Sequence, residues 1–179
     1  MSKNVVVAYD FSDSAKFALE RGIDLACRAP EHVLHVVAVI DHDQDYHFAE
    51  QVQEQLLDQL RSTFAARKVE GEVHFFVHAR IGSAAEEILD LASEIGADMI
   101  VIGSHGRTGV RRVLLGSVSE TVVRRARCAV IVARAKGYPN VELEQVIDTP
   151  HVPGRRVLPH RYSYTSSMVQ TRPSDWPIN

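Results

Sequence analysis

Cysteine is scarce: Cys27 and Cys128 are the only two in 179 residues, far apart and with no CxxC spacing. That usage argues against a disulfide framework or a zinc site, and because each falls in an apolar segment both are expected as buried free thiols. No apolar run approaches the ~20 residues that a membrane span needs. Met1-Ser2-Lys3-Asn4 leads straight into Val5–Tyr9 without a charged-then-apolar leader, so the expectation is a cytoplasmic protein with no membrane partner. An excess of positive charge is also missing. Lys and Arg total 20 against 23 Asp and Glu, for a net charge of −3 and a pI near 6.3, so no nucleic-acid partner is expected. What is present, 45% hydrophobic and 24% charged residues, excludes a disordered, collagenous or fibrous chain.

Proline is nearly absent from residues 1–135, where Pro30 stands alone, and the other six follow Lys136. The same tail holds Trp176 and three of the five tyrosines. Its five Lys/Arg and four Asp/Glu give it a charge of +1, leaving −4 for residues 1–135. Proline at that density removes backbone donors and blocks regular helix or sheet, so residues 136–179 are expected as an extended arm or a mostly disordered tail.

Residues 1–135 alternate strand-like and helix-like patterns. Val5–Tyr9 is a β-branched run, followed by Ala15, Ala18, Leu19, Gly22, Leu25 and Ala26 at helical spacing. His32–Ile40 is a second strand, and Ala49, Val52, Leu56, Leu60 and Phe64 mark a long amphipathic helix. Val73–Val77 is a third strand. Ser83 and Glu86 make a capping box opening a helix that buries Ala85, Ile88, Leu89 and Ala92 and stops at Gly96. Met99–Ile102, a helix over Ser117–Arg125, and Cys128–Ala133 complete the series. Continuously apolar strands need cover on both faces, which helical crossovers supply. The fold predicted is α/β, a doubly wound five-stranded parallel sheet between helices, with an irregular C-terminal extension. Ligands of such sheets sit at the carboxyl ends of the strands where the strand order reverses, so site residues should follow strands one, two and four.

After the fourth strand comes Gly103-Ser104-His105-Gly106-Arg107-Thr108-Gly109, and later Gly116-Ser117 at a helix start. Glycines there let backbone N–H groups approach a ligand, and the helix adds the positive end of its dipole. Thr108 and Ser117 add hydroxyls, and Arg107, Arg111 and Arg112 add positive charge. The other reading is a glycine-rich turn with solvated arginines. No Gly-Lys pair occurs anywhere, which removes the P-loop, and the first strand is followed by Asp10-Phe11-Ser12-Asp13 where a dinucleotide fold has GxGxxG.

The segment Gly103-x2-Gly106-x9-Gly116-Ser117 resembles the G-2x-G-9x-G-[S/T] signature of the ATP-binding branch of the universal stress protein family, in spacing and in every fixed residue. Val7–Ser12, His35-Val36 with Val39-Ile40-Asp41, and Ile102–Arg107 resemble that family too, and the likeness covers about residues 3–135. It implies an adenine nucleotide alpha hydrolase-like, Rossmann-like fold. It also implies Asp10 at the base or ribose of the nucleotide, and Val36 at adenine through its backbone. Ribose and phosphates would lie against Gly103, Gly106, Arg107, Gly109, Gly116, Ser117 and Val118, with Mg²⁺ on the phosphate oxygens. A homodimer paired through the last strand, Cys128–Ala133, is implied as well. Asp10 has a second reading as part of the cap of the following helix, with Ser12 and Asp13, and the two are compatible.

Asp41–His47 collects three carboxylates and two imidazoles, in an order that fits no spaced metal motif, and is read as a polar loop before a helix or a lid near the site. His35 is read as a hydrogen-bonded core histidine, His105 as either a phosphate contact or an exposed loop residue, and Arg124, Arg125 and Arg127 as partners of a helix carboxyl end. Apart from Asp10 there is no acidic group beside the loop to serve as a base, so strong ATP hydrolysis is not expected. The expected function is a stress-response sensor or regulator governed by ATP occupancy. Two alternatives are a slow ATPase or autophosphorylating protein using Ser117 or Thr108, and a dimeric interaction module with a vestigial pocket.

Overall fold

In a computed structural model of the chain, the described residues are 3–29, 31–106, 115–138 and the backbone of two strands, 162–165 and 168–171. The chain divides into two compact units, Met1–Ala135 and Lys136–Asn179.

In the first unit β1 (Lys3–Ala8), β2 (His32–Ile40), β3 (His74–Ile81), β4 (Met99–Gly103) and β5 (Ala129–Ala133) form a parallel sheet in the order β3-β2-β1-β4-β5. Between the strands run α1 (Asp13–Arg28), α2 (Tyr46–Ala66), α3 (Ala84–Glu94) and α4 (Ser117–Arg125). Alternation along the strands sorts the core into two layers. Val5, Val7, Leu34, Val36 and Ala38 pack with α1 and α2, while Val6, Ala8, Val37, Ile100 and Ile102 pack with α3 and α4. This is the doubly wound α/β sandwich that the strand and helix patterns predict, and its order reverses between β1 and β4.

Helix α1 lies against β1 at Gly22: a Cβ there would overlap Val7 Cγ2 and stand 3.1 Å from Leu34 Cδ1. The glycine sets how closely helix and sheet approach. The buried face of α1 is Ala15, Ala18, Leu19, Gly22, Ile23 and Ala26, so Ile23 rather than Leu25 fills the core and Leu25 is only partly buried.

Four local expectations are corrected. Strand β3 extends to Ile81 because it pairs with β2 along its whole length, from Val33 with His74 to Ile40 with Ile81. As an edge strand it has one exposed flank, and the interleaved His78 and Arg80 hide its apolar pattern. The capping box at α3 does not form: Ser83 is the N-cap but makes no side-chain cap bond, Glu86 pairs with Arg125 instead, and Leu89 is half-buried while Leu91 takes its core place. Cys27 is exposed, on the outer side of α1, and Cys128 is half-buried; both are free. Burial, with Asp98 nearby, raises the pKa of the Cys128 thiol.

The second unit contains an antiparallel pair, β6 (Tyr162–Thr165) and β7 (Met168–Thr171), in register from Tyr162 with Thr171 to Thr165 with Met168. Proline therefore does not block sheet throughout the tail: the hairpin occupies the proline-free stretch between Pro159 and Pro173.

Candidate functional site

At the carboxyl ends of β1, β2 and β4 the sheet opens into a cavity of about 330 Å³. The strand order reverses there, between β1 and β4. Its floor is Ala8, Val37, Val39 and Ile102, its α3 side carries Ala84 and Ile88, its polar rim is Asp10, Asp41, His105 and Ser117, and buried Ser119 lies behind them. Gly82, Gly103, Gly106 and Gly116 complete the wall.

The β1 end is built by hydrogen bonding. Tyr9 N–H donates to Val37 O at 2.8 Å, carrying the sheet one residue further, and Phe11 then turns the chain with φ of +64°. Asp10 Oδ1 accepts from Ser12 N at 3.1 Å and from Ser12 Oγ at 2.5 Å, while Ser12 Oγ accepts from Ala15 N and caps α1. Asp10 thus supports the cap through Ser12, and its Oδ2 lies 3.1 Å from where a Cβ of Gly106 would be. The cap reading and a place in the cavity hold for the same carboxylate.

The β4 end is held from three directions. At Gly103 a Cβ would overlap Ser14 Oγ and stand 2.8 Å from the Ser14 carbonyl carbon, so only glycine permits α1 to close on the strand. Ser119 Oγ donates to Gly103 O at 2.7 Å from inside α4, and Ser14 Oγ accepts from His105 N at 3.1 Å. Across the loop, Gly116 N donates to Ser104 O at 2.8 Å, bringing the first residues after β4 against the N-cap of α4. His105, half-buried, lines the cavity, and its Nδ1 is 2.9 Å from Ser104 Oγ. The α4 N-terminus beside it presents Ser117, Val118 and Ser119 with the positive end of the helix dipole.

Of the residues singled out in the sequence, Asp10, Gly103, Gly106, Gly116, Ser117 and Val118 meet at this cavity. Arg107 and Gly109, with Thr108, Arg111 and Arg112, lie outside the described residues. The contact expected of Val36 is through its backbone; its side chain is fully buried in the α1/α2 layer, and the β2 valines that line the cavity are Val37 and Val39. The reason is the two-residue period of the strand, which turns alternate side chains to the other face. Asp41 lines the cavity, whereas the following loop ends in Asp45, which caps α2 by accepting from Phe48 N. No group of three or more potential metal ligands occurs among the described residues.

Sequence reasoning missed Ser14, Ser104 and Ser119, the last a serine on the buried face of α4 alongside Val122. A hydroxyl on an otherwise apolar helix face was the available signal. His35 is a core residue hydrogen-bonded to His78, as its apolar strand implies. Arg124 pairs with Glu120 one turn back and Arg125 with Glu86 on α3. Carboxylates, and not only the helix end, hold these two arginines.

Comparison with known proteins agrees with this architecture. Residues 1–134 match the universal stress protein family. A Staphylococcus haemolyticus protein named for that family is 30% identical over 158 residues, 83% of this chain and 93% of its own. Among solved structures, the universal stress protein UspA of Lactobacillus plantarum superposes with a TM-score of 0.57 at 27% identity, over 74% of this chain and 97% of that one. A universal stress protein of Archaeoglobus fulgidus, solved in complex with dAMP, shares the fold with a TM-score of 0.53 at 23% identity, over 75% and 98% of the two chains. The fold is that of the universal stress proteins, and this chain belongs to that family. No helix among the described residues is long and apolar enough to cross a membrane.

Proposed function

We propose that the protein binds ATP with Mg²⁺ in the cavity at the β1/β4 reversal and that occupancy sets its conformation or its partners, making it a nucleotide-dependent sensor in stress response. The observation that carries the reading is the convergence of Gly103, Gly106 and Gly116 with the start of α4 on one wall of that cavity. Backbone N–H groups and a helix N-terminus at such a wall suit phosphate, and 330 Å³ lies within the range of small-ligand sites. Opposite them, the apolar floor of Val37, Val39 and Ile102 suits a planar base, and Asp10 and Asp41 at the rim suit acceptance from an amine or hydroxyl. In this assignment the Val36 backbone keeps the adenine contact that the family resemblance implies, and Ser117 and Val118 hold phosphate. Arg107 and Gly109 keep the phosphate-side role that the family resemblance implies. Carboxylates among the described residues do not form a metal cage, and Mg²⁺ is assigned to the phosphate oxygens. The dAMP complex of the Archaeoglobus fulgidus protein belongs to that protein, and at 23% identity the likeness concerns the fold, so the residues above bear the argument.

Dimerisation through β5 belongs to the same proposal. That strand ends the sheet, and its outer backbone groups suit pairing with a second copy.

Calorimetric titration of nucleotide-free protein with ATP, with and without Mg²⁺, tests the reading. Saturation near one nucleotide per chain is expected. No heat up to millimolar ATP in folded protein would overturn it.

A further inference from the structure

Two serine hydroxyls grip the first turn of the glycine loop from opposite helices. From α1, Ser14 Oγ accepts the His105 N–H at 3.1 Å, a contact between residues 91 positions apart. From α4, Ser119 Oγ donates to Gly103 O at 2.7 Å, and Ser119 is itself buried. Between these points a side chain at Gly103 would strike Ser14, so the fit of α1 against the loop is close as well as hydrogen-bonded. The peptide groups thereby fixed immediately precede Gly106, where a Cβ would stand 3.1 Å from Asp10 Oδ2 at the cavity.

We infer that Ser14 and Ser119 are positioning residues that hold Gly103–Gly106 in the conformation that receives phosphate. The inference rests on the nucleotide reading of the cavity. Ser14 is absent from the cavity wall, and the bond it makes to His105 uses up an amide that would otherwise exchange with water or turn toward the ligand. The hydroxyl therefore selects which loop amides remain to meet a ligand. Preorganised backbone donors bind an anion without the entropy loss of ordering the loop, so releasing either end of the grip is felt by the phosphates and not by the base.

Ser14→Ala, Ser14→Thr and Ser119→Ala variants of the full chain separate this role from a general stabilising one. Backbone hydrogen exchange reads the grip directly, and titration with ATP and with adenosine reads its consequence. In Ser14→Ala the His105 amide is expected to exchange about tenfold faster, the loss of one net hydrogen bond, while amides of β2 and α3 keep their protection. Both alanine variants should bind ATP about three- to tenfold more weakly and adenosine within about twofold of the unaltered protein, and Ser14→Thr, which keeps the acceptor, should retain slow exchange at His105. An unchanged His105 amide, faster exchange spread evenly through the sheet, or equal losses for ATP and adenosine would each overturn the inference. If the unaltered protein takes up neither ligand, the nucleotide reading fails and so does the phosphate role, whereas the exchange data still establish or refute the serine grip.

Discussion

His35 and His78 face each other across β2 and β3, with Nδ1 of the first 3.1 Å from Nε2 of the second and the rings stacked at 5.3 Å. Phe76, beside His78 on the same face of β3, also stacks on His35, at 4.9 Å. One imidazole must donate and the other accept, so both rings cannot carry a proton on the shared edge and at least one of them is neutral.

That pair predicts acid sensitivity. Burial, with His78 second, lowers the His35 pKa to about 4, and burial with Arg80 second lowers that of His78. A histidine whose folded pKa lies below its unfolded value near 6.5 favours the unfolded chain as protons are added. Stability is therefore full above about pH 6.5 and falls as the pH drops toward 4, by on the order of 2 kcal/mol from His35. Urea unfolding at pH 7.5, 5.5 and 4.5 measures this, and His35→Phe should flatten the slope. An equally steep slope in that variant would remove His35 as its source.

Gly22→Ala is predicted to destabilise although alanine is the better helix former. The added methyl meets Val7 and Leu34, forcing α1 away from β1, and such overpacking costs about 1–3 kcal/mol, more than the ~1 kcal/mol gained in helix propensity. Thermal unfolding should show a lower midpoint; a higher one would mean that helix and strand separate freely.

Asp10→Asn distinguishes the two roles of that carboxylate. The amide oxygen still accepts from Ser12, so stability should change by less than about 1 kcal/mol, while the loss of charge should weaken nucleotide binding about tenfold. Loss of stability without loss of affinity would leave Asp10 as a helix-capping residue alone.

Gly116→Val is predicted to weaken ATP binding tenfold or more while leaving the protein folded. A Cβ at this position is in ordinary contact, 3.4 Å from His105 Cα, but two further methyls fill the space between the N-cap of α4 and the loop. Calorimetric titration checks it, with unchanged affinity placing phosphate elsewhere.

Much of this protein is written locally. Strand β2 and helix α4 have the bounds their sequence patterns announce, because a strand covered on both faces is apolar throughout and a helix opening at Gly116-Ser117 carries its own start signal. The glycine spacing is equally local, although the reason Gly103 must stay bare, its contact with Ser14, is not. Tertiary structure alone decided the rest. Val39 rather than Val36 lines the cavity because the phase of β2 is set by its pairing with β1. Glu86 leaves its capping box because folding brings Arg125 within reach from 39 positions away. Ser14 finds the His105 amide because helix α1 crosses the end of β4, and that contact is a property of packed elements which no short stretch of residues contains.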